Sequence, residues 1–356
     1  MPQVTKFVAC RVPKRRSVME KDTVIQEAID FNVGKKMPKM AICYDFDRTL
    51  SPDDMQTFTL IPSFGVDKNV FWHESDTLAE ENLMDNNLAW MYELIKYSKF
   101  KGKSLRREYF KQIGADVQLY PGVETWFDNV NAYARERGIE VEHYIISSGL
   151  KEIIEGSRIA PYITRVYASS YLYSADGIAE WPAQVVNYTT KTQFIFRIAK
   201  GYLEEYDARV NDSMPHDVRN VDYENIVYIG DSATDIPCMT LVKQKGGYSI
   251  GVYDPVSNNK KKVYQLFSDG RLNFYAPANY SEESPIFDYM KNVIDEIAAK
   301  EKQKSEQKKL GTTAEKFKKR ATLEKILESA SENLSEEERA IVRNMIDHID
   351  DCGKKA

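Results

Sequence analysis

Short apolar runs that end in polar side chains recur along this chain of 356 residues. One run ends at Asp45, a second at Ser147 and a third at Asp231. Unbroken apolar runs of this length are typical of strands that are buried on both faces of a sheet. Apolar residues at helical spacing, as in 123–134, predict helices that cover such a sheet. The pattern therefore predicts an α/β fold whose polar strand ends line one edge of the sheet.

The first run ends in two carboxylates, Asp45 and Asp47, which are separated by Phe46. Strand alternation would send both carboxylates to the same side. Two such groups repel each other unless a cation neutralises them or one of them holds a proton. The segment therefore predicts a divalent metal, an acid/base pair, or both, although an Asx turn with a helix cap would produce the same pattern.

Three later segments of the chain also carry candidate site residues. Ser147, with Ser148 and Gly149, offers hydroxyls and turn amides that suit a phosphate oxygen, as an ordinary Ser-Gly turn also would. Lys191 lies near the start of a predicted helix, where a cation opposes the helix dipole unless an anion is close or solvent surrounds the side chain. Asp231 follows Gly230 at a strand end, and Asp235 comes four residues later, which brings it near the same place if a helix begins at Ser232.

Taken together, these signals predict one cleft with carboxylates, a hydroxyl and a lysine. Oxygen ligands of this kind suit Mg²⁺ that keeps waters and also binds a substrate phosphate. The cysteines and histidines are scattered along the sequence and predict no zinc site. The residues expected in the cleft are Asp45, Asp47, Ser147, Lys191, Asp231 and Asp235.

The chain resembles the haloacid dehalogenase-like hydrolase superfamily, and within it the phosphoserine-phosphatase-like group, over residues 40 to 295 or so. Four ordered motifs carry this resemblance: Asp45-Phe46-Asp47-Arg48-Thr49-Leu50, Ser147, Lys191, and Gly230-Asp231-Ser232-Ala233-Thr234-Asp235. The resemblance implies a Rossmann-like, doubly wound, mostly parallel sheet with an α-helical cap inserted after the first motif.

The resemblance also implies a role for each motif residue. Asp45 would attack phosphorus and form an aspartyl-phosphate, and Asp47 would act as general acid and then as general base. The Asp45 carboxylate, the Asp47 backbone carbonyl and Asp231 would hold Mg²⁺. Ser147, Ser148 and Lys191 would bind the phosphate, and Asp235 would support the metal ligands through water or through Lys191.

The carboxylate at position 47 indicates a phosphatase or phosphotransferase rather than a dehalogenase or a P-type ATPase. The chain departs from the phosphoserine phosphatases in reading Ser147-Ser148-Gly149 instead of Ser-Gly-Gly, and in carrying Ser232 and Thr234 in the last motif. Their substrate-reading glutamate is matched at best by Asp54. A small phosphorylated metabolite is therefore expected, and phosphoserine is not favoured.

Composition changes the picture only slightly. The chain has 49 Lys and Arg against 54 Asp and Glu, a net charge of −5, which argues against broad binding to nucleic acid. No apolar stretch predicts a signal peptide or a membrane span. Four cysteines without a disulfide framework predict a reducing, cytoplasmic location.

The pattern also predicts the organisation of the chain. Residues 23–29 predict a short helix, and residues 171–179, around Asp176-Gly177, predict a hairpin. A helix over 284–300 would close the core. Apolar residues at 317, 323, 326 and 327 suggest an amphipathic helix, and a capping box at Ser335 and Glu338 predicts a last helix. The two short C-terminal helices could pack on each other, on the core or on another subunit. The predicted segments are a basic N-terminal lead-in (1–39), the catalytic core (40–50 and 119–300), the helical cap insertion (51–118) and a helical C-terminal extension (301–356).

Two alternatives to the small-metabolite phosphatase remain open. The chain could be an interaction protein that works through its terminal segments, or a phosphatase of nucleotides or nucleic-acid ends, which Lys14-Arg15-Arg16 would favour. In the cap, residues 70–73 could face the substrate or pack the cap's own core.

Overall fold

A computed structural model describes residues 37–329 and 335–351. The chain divides into residues 1–37 and 38–356, and the description concerns the second unit. The predicted helix at 23–29 and the basic triplet at 14–16 lie outside the described residues.

A seven-stranded sheet forms the centre of the fold, in the order β4-β3-β2-β1-β5-β6-β7. All neighbours are parallel except β3 and β4, which form the antiparallel hairpin that the sequence predicted around Gly177. The strands are β1 (Lys39–Tyr44), β2 (Glu140–Leu150), β3 (Arg165–Tyr173), β4 (Ala179–Gln184), β5 (Ile226–Gly230), β6 (Tyr248–Tyr253) and β7 (Phe274–Pro277).

Helices cover both faces of this sheet, which confirms the doubly wound α/β architecture. The helices are α1 (Leu60–Ser63), α2 (Lys68–Asn82), α3 (Asn86–Lys101), α4 (Arg107–Gly114), α5 (Val123–Glu136), α6 (Lys151–Glu155), α7 (Tyr188–Lys200), α8 (Ile236–Gln244), α9 (Lys261–Ser268), α10 (Pro285–Ser329) and α11 (Glu336–Asp351). No described helix combines the length and the apolar character that a bilayer crossing requires.

The central strand β1 shows why the sheet is buried on both sides. Met40, Ile42 and Tyr44 belong to one apolar core, and Ala41 and Cys43 belong to the other. All five are fully buried, because β1 lies between β2 and β5 and has a layer of helices on each face. An unbroken apolar run is the sequence pattern that this position demands.

The segment 51–118, predicted as a cap, is helical. α2 and α3 begin at Asp67 and Asp85, whose carboxylates accept backbone N–H groups of the first turn, and the two helices pack against each other. The last helix of the segment, α4, packs instead on the core helix α6. A Cβ at Gly114 would lie 2.2 Å from the carbonyl oxygen of Ile153, so only glycine permits this approach.

The C-terminal region differs from the sequence prediction in one respect. The helix expected over 284–300 continues without a break to Ser329, so the predicted boundary at residue 301 falls inside α10. The loss of apolar residues there marks the point where the helix leaves the core, not the point where it ends. The capping box before α11 is confirmed, since Glu338 N donates to Ser335 Oγ at 3.3 Å, and α11 packs against α10.

Candidate active site

Asp45 lies directly after β1, with 5% of its surface exposed. Its backbone N–H donates to the carbonyl oxygen of Ile229 at 2.9 Å, which continues the ladder to β5 by one more step. Its carboxylate accepts the N–H of Phe46 at 2.8 Å. The carboxylate is therefore held at the carboxyl end of the two central strands.

Lys191 reaches Asp45 from the first turn of α7, as the sequence predicted. Its side chain is fully buried, and its Nζ lies 3.1 Å from Asp45 Oδ1 and 2.7 Å from Asp235 Oδ1. A capping box of Asn187 and Thr190 begins the helix and so places this first turn. The cation that opposes the helix dipole is thus paired with two carboxylates.

Asp235 is the most firmly held carboxylate of the site. Its Oδ1 accepts from Lys191 and from the Tyr228 hydroxyl at 2.7 Å, and its Oδ2 accepts the N–H of Ser232 at 3.0 Å and the Ser232 hydroxyl at 2.9 Å. α8 begins at Ile236 rather than at Ser232, after a 3₁₀ turn over Ala233–Asp235. Ser232 thus holds Asp235 through both its backbone N–H and its hydroxyl.

Asp231 completes the carboxylate cluster, and the Thr49 hydroxyl donates to its Oδ1 at 3.2 Å. The preceding Gly230 has no room for a side chain, because a Cβ there would lie 2.7 Å from the Cγ of Asp235. This close approach brings Asp231 and Asp235 together. Carboxylate oxygens of Asp45, Asp231 and Asp235 all lie within 4.8 Å of one another.

Asp47 faces the cap side of the site. Strand alternation does not position it, because β1 ends at Tyr44 and the chain turns through Arg48 with φ of +58°. The carboxylate of Asp47 accepts the N–H of Met55 at 2.8 Å. Its side chain is not one of the three carboxylates in the cluster of Asp45.

Burial governs the protonation of these acids. It raises the pKa of Asp45 to about 7, with Asp235 adding to the rise and Lys191 opposing it. Burial, followed by the charges of Asp54 and Asp45, raises the pKa of Asp47 well above its ordinary value. Burial also raises the pKa of Asp231, with a further contribution from Asp235.

Asp235 differs from the other acids in the direction of its shift. Burial works to raise its pKa, but Lys191 and the hydrogen bonds from Tyr228 and Ser232 outweigh this and lower it. Asp235 is therefore the ionised partner of Lys191. Asp45, Asp47 and Asp231 need a further cation or a bound proton to offset their charge.

The donor set fits a divalent cation. Three carboxylates face a single lysine, which leaves an excess of negative charge in a buried place. The oxygens of Asp235 are already committed to hydrogen bonds, so Asp45 and Asp231 are the carboxylates free to bind a metal ion. Hard oxygen ligands of this kind match Mg²⁺.

The carboxyl-terminal end of β2, the strand beside β1, closes the site from one side. β2 continues past Ser147 to Leu150, and Ser147 Oγ is buried and accepts the N–H of Gly149 at 3.0 Å. Ser148 Oγ is buried without a partner. A Cβ at Gly149 would lie 2.9 Å from Asp47 Oδ2, so glycine is needed for this wall to meet Asp47.

A cavity of about 410 Å³ opens between this wall and the cap. The core side consists of Asp47, Arg48, Ser148 and Gly149, together with Asp54, whose Oδ2 accepts from Arg48 at 2.8 Å. The cap side consists of polar residues and two tryptophans: Gln56, Trp72, Ser75, Asp76, Asn86, Asn87 and Trp90.

Sequence reasoning found only part of this cap wall. Within the predicted stretch 70–73, Trp72 lines the cavity, Phe71 packs in the core, and Val70 and His73 are exposed. The sequence did not predict that Gln56, Asp76 and Trp90 line the cavity. It does not show which face of the cap segment is turned toward the core. Asp54, the suggested counterpart of a substrate-reading glutamate, does line the cavity.

Comparison with known proteins agrees with this geometry. Residues 42–240, more than half of the chain, match the family model described as haloacid dehalogenase-like hydrolase. An uncharacterized protein of Borreliella burgdorferi is 28% identical over 280 residues, which cover 72% of this chain and 96% of that protein.

Two solved structures are also similar. One is a probable phosphoserine phosphatase from Vibrio cholerae, with a TM-score of 0.47, 13% identity, and coverage of 81% of this chain and 76% of that chain. The other is a phosphoserine phosphohydrolase-like protein from Francisella tularensis, with a TM-score of 0.42, 16% identity, and coverage of 68% and 97%.

The chain belongs to the haloacid dehalogenase-like hydrolases. It is therefore a member of a family of hydrolases.

Proposed function

We propose that this protein is a Mg²⁺-dependent phosphomonoesterase that forms an aspartyl-phosphate on Asp45. The observation that carries the proposal is the setting of Asp45, a buried carboxylate at a strand end with Lys191 Nζ 3.1 Å away and the carboxylates of Asp231 and Asp235 beside it. A scaffold protein has no physical need to gather three carboxylates beside one buried lysine, since burial of unpaired charges is costly.

In the first step, a carboxylate oxygen of Asp45 attacks phosphorus, and the bond from phosphorus to the leaving oxygen breaks. Asp47 supplies the proton that the leaving oxygen takes up. Burial raises the pKa of Asp47 well above its ordinary value, which favours the protonated form that a general acid requires. In the second step, Asp47 removes a proton from the water whose oxygen attacks phosphorus. The bond from phosphorus to Asp45 breaks, so the Asp45 carboxylate is regenerated and inorganic phosphate is released.

The remaining residues orient the nucleophile and the phosphate and neutralise their negative charges. Asp45, the backbone carbonyl of Asp47 and Asp231 would hold Mg²⁺, which when bound reduces the repulsion between the nucleophile and the phosphate. Lys191 keeps Asp45 oriented and offers its ammonium to phosphoryl oxygens, and Asp235 fixes Lys191. Ser147 and the unpartnered hydroxyl of Ser148 would bind phosphoryl oxygens.

The test is phosphorylation of the enzyme itself. The protein is mixed with a ³²P-labelled aryl phosphate and Mg²⁺, quenched in acid and treated with hydroxylamine, which cleaves acyl phosphates. We expect the wild-type protein to carry ³²P that hydroxylamine removes. The Asp45→Asn variant should carry no label. Asp47→Asn should retain label, because an aryl oxide leaves without a proton while the second step lacks its base.

Asp288→Asn is the matched control, since Asp288 is exposed on α10 away from the carboxylate cluster. It should behave as the wild type does. Equal label on wild type and Asp45→Asn would refute the assignment of the nucleophile. Undiminished steady-state hydrolysis in EDTA would refute the requirement for a metal ion.

We further propose that the protein works in the reducing cytoplasm, which the buried free thiols of Cys43 and Cys238 support. Self-association through the C-terminal helices stays a proposal as well. Phe317 on α10 and Met345 on α11 are exposed apolar side chains that a second chain could cover. Sedimentation of the full chain beside a Phe317→Ser, Met345→Ser variant would test it, and a monomeric wild type would refute it.

A further inference from the structure

The cavity beside Asp47 has an unusual charge balance for the site of a phosphatase. Three acids line it, Asp47, Asp54 and Asp76. Among the described residues on its wall, Arg48 is the one basic side chain, and its guanidinium already lies 2.8 Å from Asp54 Oδ2. The charges of Arg48 and Asp54 cancel, so a carboxylate or second phosphate on the leaving alcohol would meet Asp47 and Asp76 on this described wall and no free cation.

A second observation, independent of the acids, indicates a ligand in the same place. Gln56 lines the cavity with 2% of its surface exposed, and its Oε1 has no hydrogen-bond partner. A buried carbonyl oxygen without a partner is costly, so native sites rarely leave one unused. This oxygen accepts a hydrogen bond, and an N–H donor of a bound molecule would satisfy it.

The cap contributes two indole rings to the same wall, Trp72 and Trp90. Trp90 is 4% exposed, and its Nε1 donates to Asn87 Oδ1 at 3.2 Å, which fixes the ring. Tryptophan is the side chain to which cations bind best through the face of the ring. Acids, an acceptor oxygen and indole rings together are the chemistry that recognises an ammonium group.

We propose that this cavity binds a cationic amine on the leaving alcohol, so that the substrates are phosphate monoesters of small amino alcohols. The inference rests on the proposed function and narrows it to a substrate class. The phosphate lies at Asp45, and the amine extends past Asp47 toward Gln56, Asp76 and the tryptophans. A cavity of about 410 Å³ accommodates an alcohol of a few carbon atoms.

The experiment compares esters of similar size that differ in charge, with the full chain and Mg²⁺. O-Phosphoethanolamine and phosphocholine carry a cation, ethyl phosphate is neutral beyond its phosphate, and 2-phosphoglycolate carries an additional anion. We expect kcat/KM for one of the two cationic esters to exceed that for ethyl phosphate by about tenfold or more, which corresponds to roughly 1.4 kcal/mol. The pair of cationic esters tells a primary amine from a quaternary one.

Variants at position 76 connect this preference to the cavity. Asp76→Asn should lower the ratio of kcat/KM between the cationic and the neutral ester at least threefold, and Asp76→Lys should shift the preference toward 2-phosphoglycolate. Asp288→Asn should leave the ratio unchanged. Because the readout is a ratio, a general loss of activity in a variant does not imitate the effect.

The outcomes separate the two proposals. If hydrolysis depends on Asp45 but the neutral or anionic ester is preferred, the inference is wrong and the proposed function stands. A cationic preference that Asp76→Asn and Asp76→Lys leave intact also overturns it. If no ester, p-nitrophenyl phosphate included, is hydrolysed in an Asp45-dependent way, the proposed function fails and the inference fails with it.

Discussion

Replacement of Lys191 by methionine is expected to destabilise the whole protein as well as to stop catalysis. Methionine keeps the length and apolar character of the side chain, so the packing of α7 is little disturbed. What is removed is the cation. Lys191 is fully buried, with the buried carboxylates of Asp45 at 3.1 Å and Asp235 at 2.7 Å.

The magnitude follows from this burial. Breaking a buried ion pair by removing one partner costs about 3–5 kcal/mol, because the other partner is left charged in a place of low polarity. A domain has roughly 5–15 kcal/mol of stability in total, so the variant would lose a large fraction of it. Asp235 retains the Tyr228 and Ser232 hydrogen bonds, which places the expected loss near the lower end.

The assay is urea unfolding of the full chain in EDTA, with a double-mutant cycle. Lys191→Met should lower the free energy of unfolding by about 3 kcal/mol. Adding Asp235→Asn should recover part of that loss, because the uncompensated charge is then gone. Lys308→Met, at an exposed position of α10, should change the free energy of unfolding by less than about 0.5 kcal/mol.

Two results would refute the reasoning. A loss below about 1 kcal/mol for Lys191→Met would mean that the pair is effectively solvated. A double variant whose loss equals the sum of the two single losses would mean that Lys191 and Asp235 do not interact energetically.

Three further predictions follow from other positions. Gly230→Ala places a Cβ 2.7 Å from the Cγ of Asp235, and kcat/KM should fall on the order of a hundredfold; near-normal turnover would contradict this. In EDTA, the pKa of Asp45 of about 7 against an ordinary 3.8 means that its ionisation opposes folding, so the urea midpoint should fall as the pH rises from 4 to 7, and Asp45→Asn should flatten that slope. Gly156→Ala puts a Cβ 1.9 Å from the carbonyl oxygen of Lys111 and should lower stability by about 1–3 kcal/mol in thermal unfolding, unless α4 moves off α6 at no cost.

Local pattern predicted the elements that hold the motifs. The strand before Asp45, the helix that begins before Lys191 and the strand before Asp231 all formed as expected, because buried strands and capped helices impose regular spacing on the sequence. The sequence also predicted the hairpin at Gly177 and the capping box at Ser335 that begins α11, and both are present.

Local pattern was insufficient where hydrophobic periodicity does not report the path of the backbone. The turn after β1 sends Asp47 toward Met55, which strand alternation cannot describe. The unbroken course of α10 past residue 301 was missed for a related reason, since helical propensity continues where the apolar stripe does not.

The sequence by itself determined the α/β class, the strand ends and the residue types of the site, because these follow from periodicity and from the order of motifs along the chain. Only the tertiary structure decided which carboxylates share Lys191, which one faces the cap, and which cap side chains line the cavity. Those relations depend on how separate segments pack, such as those of Lys191 and Asp235, which are 44 residues apart, and those of Thr49 and Asp231, which are 182 apart. No local pattern records the angle at which one packed element meets another.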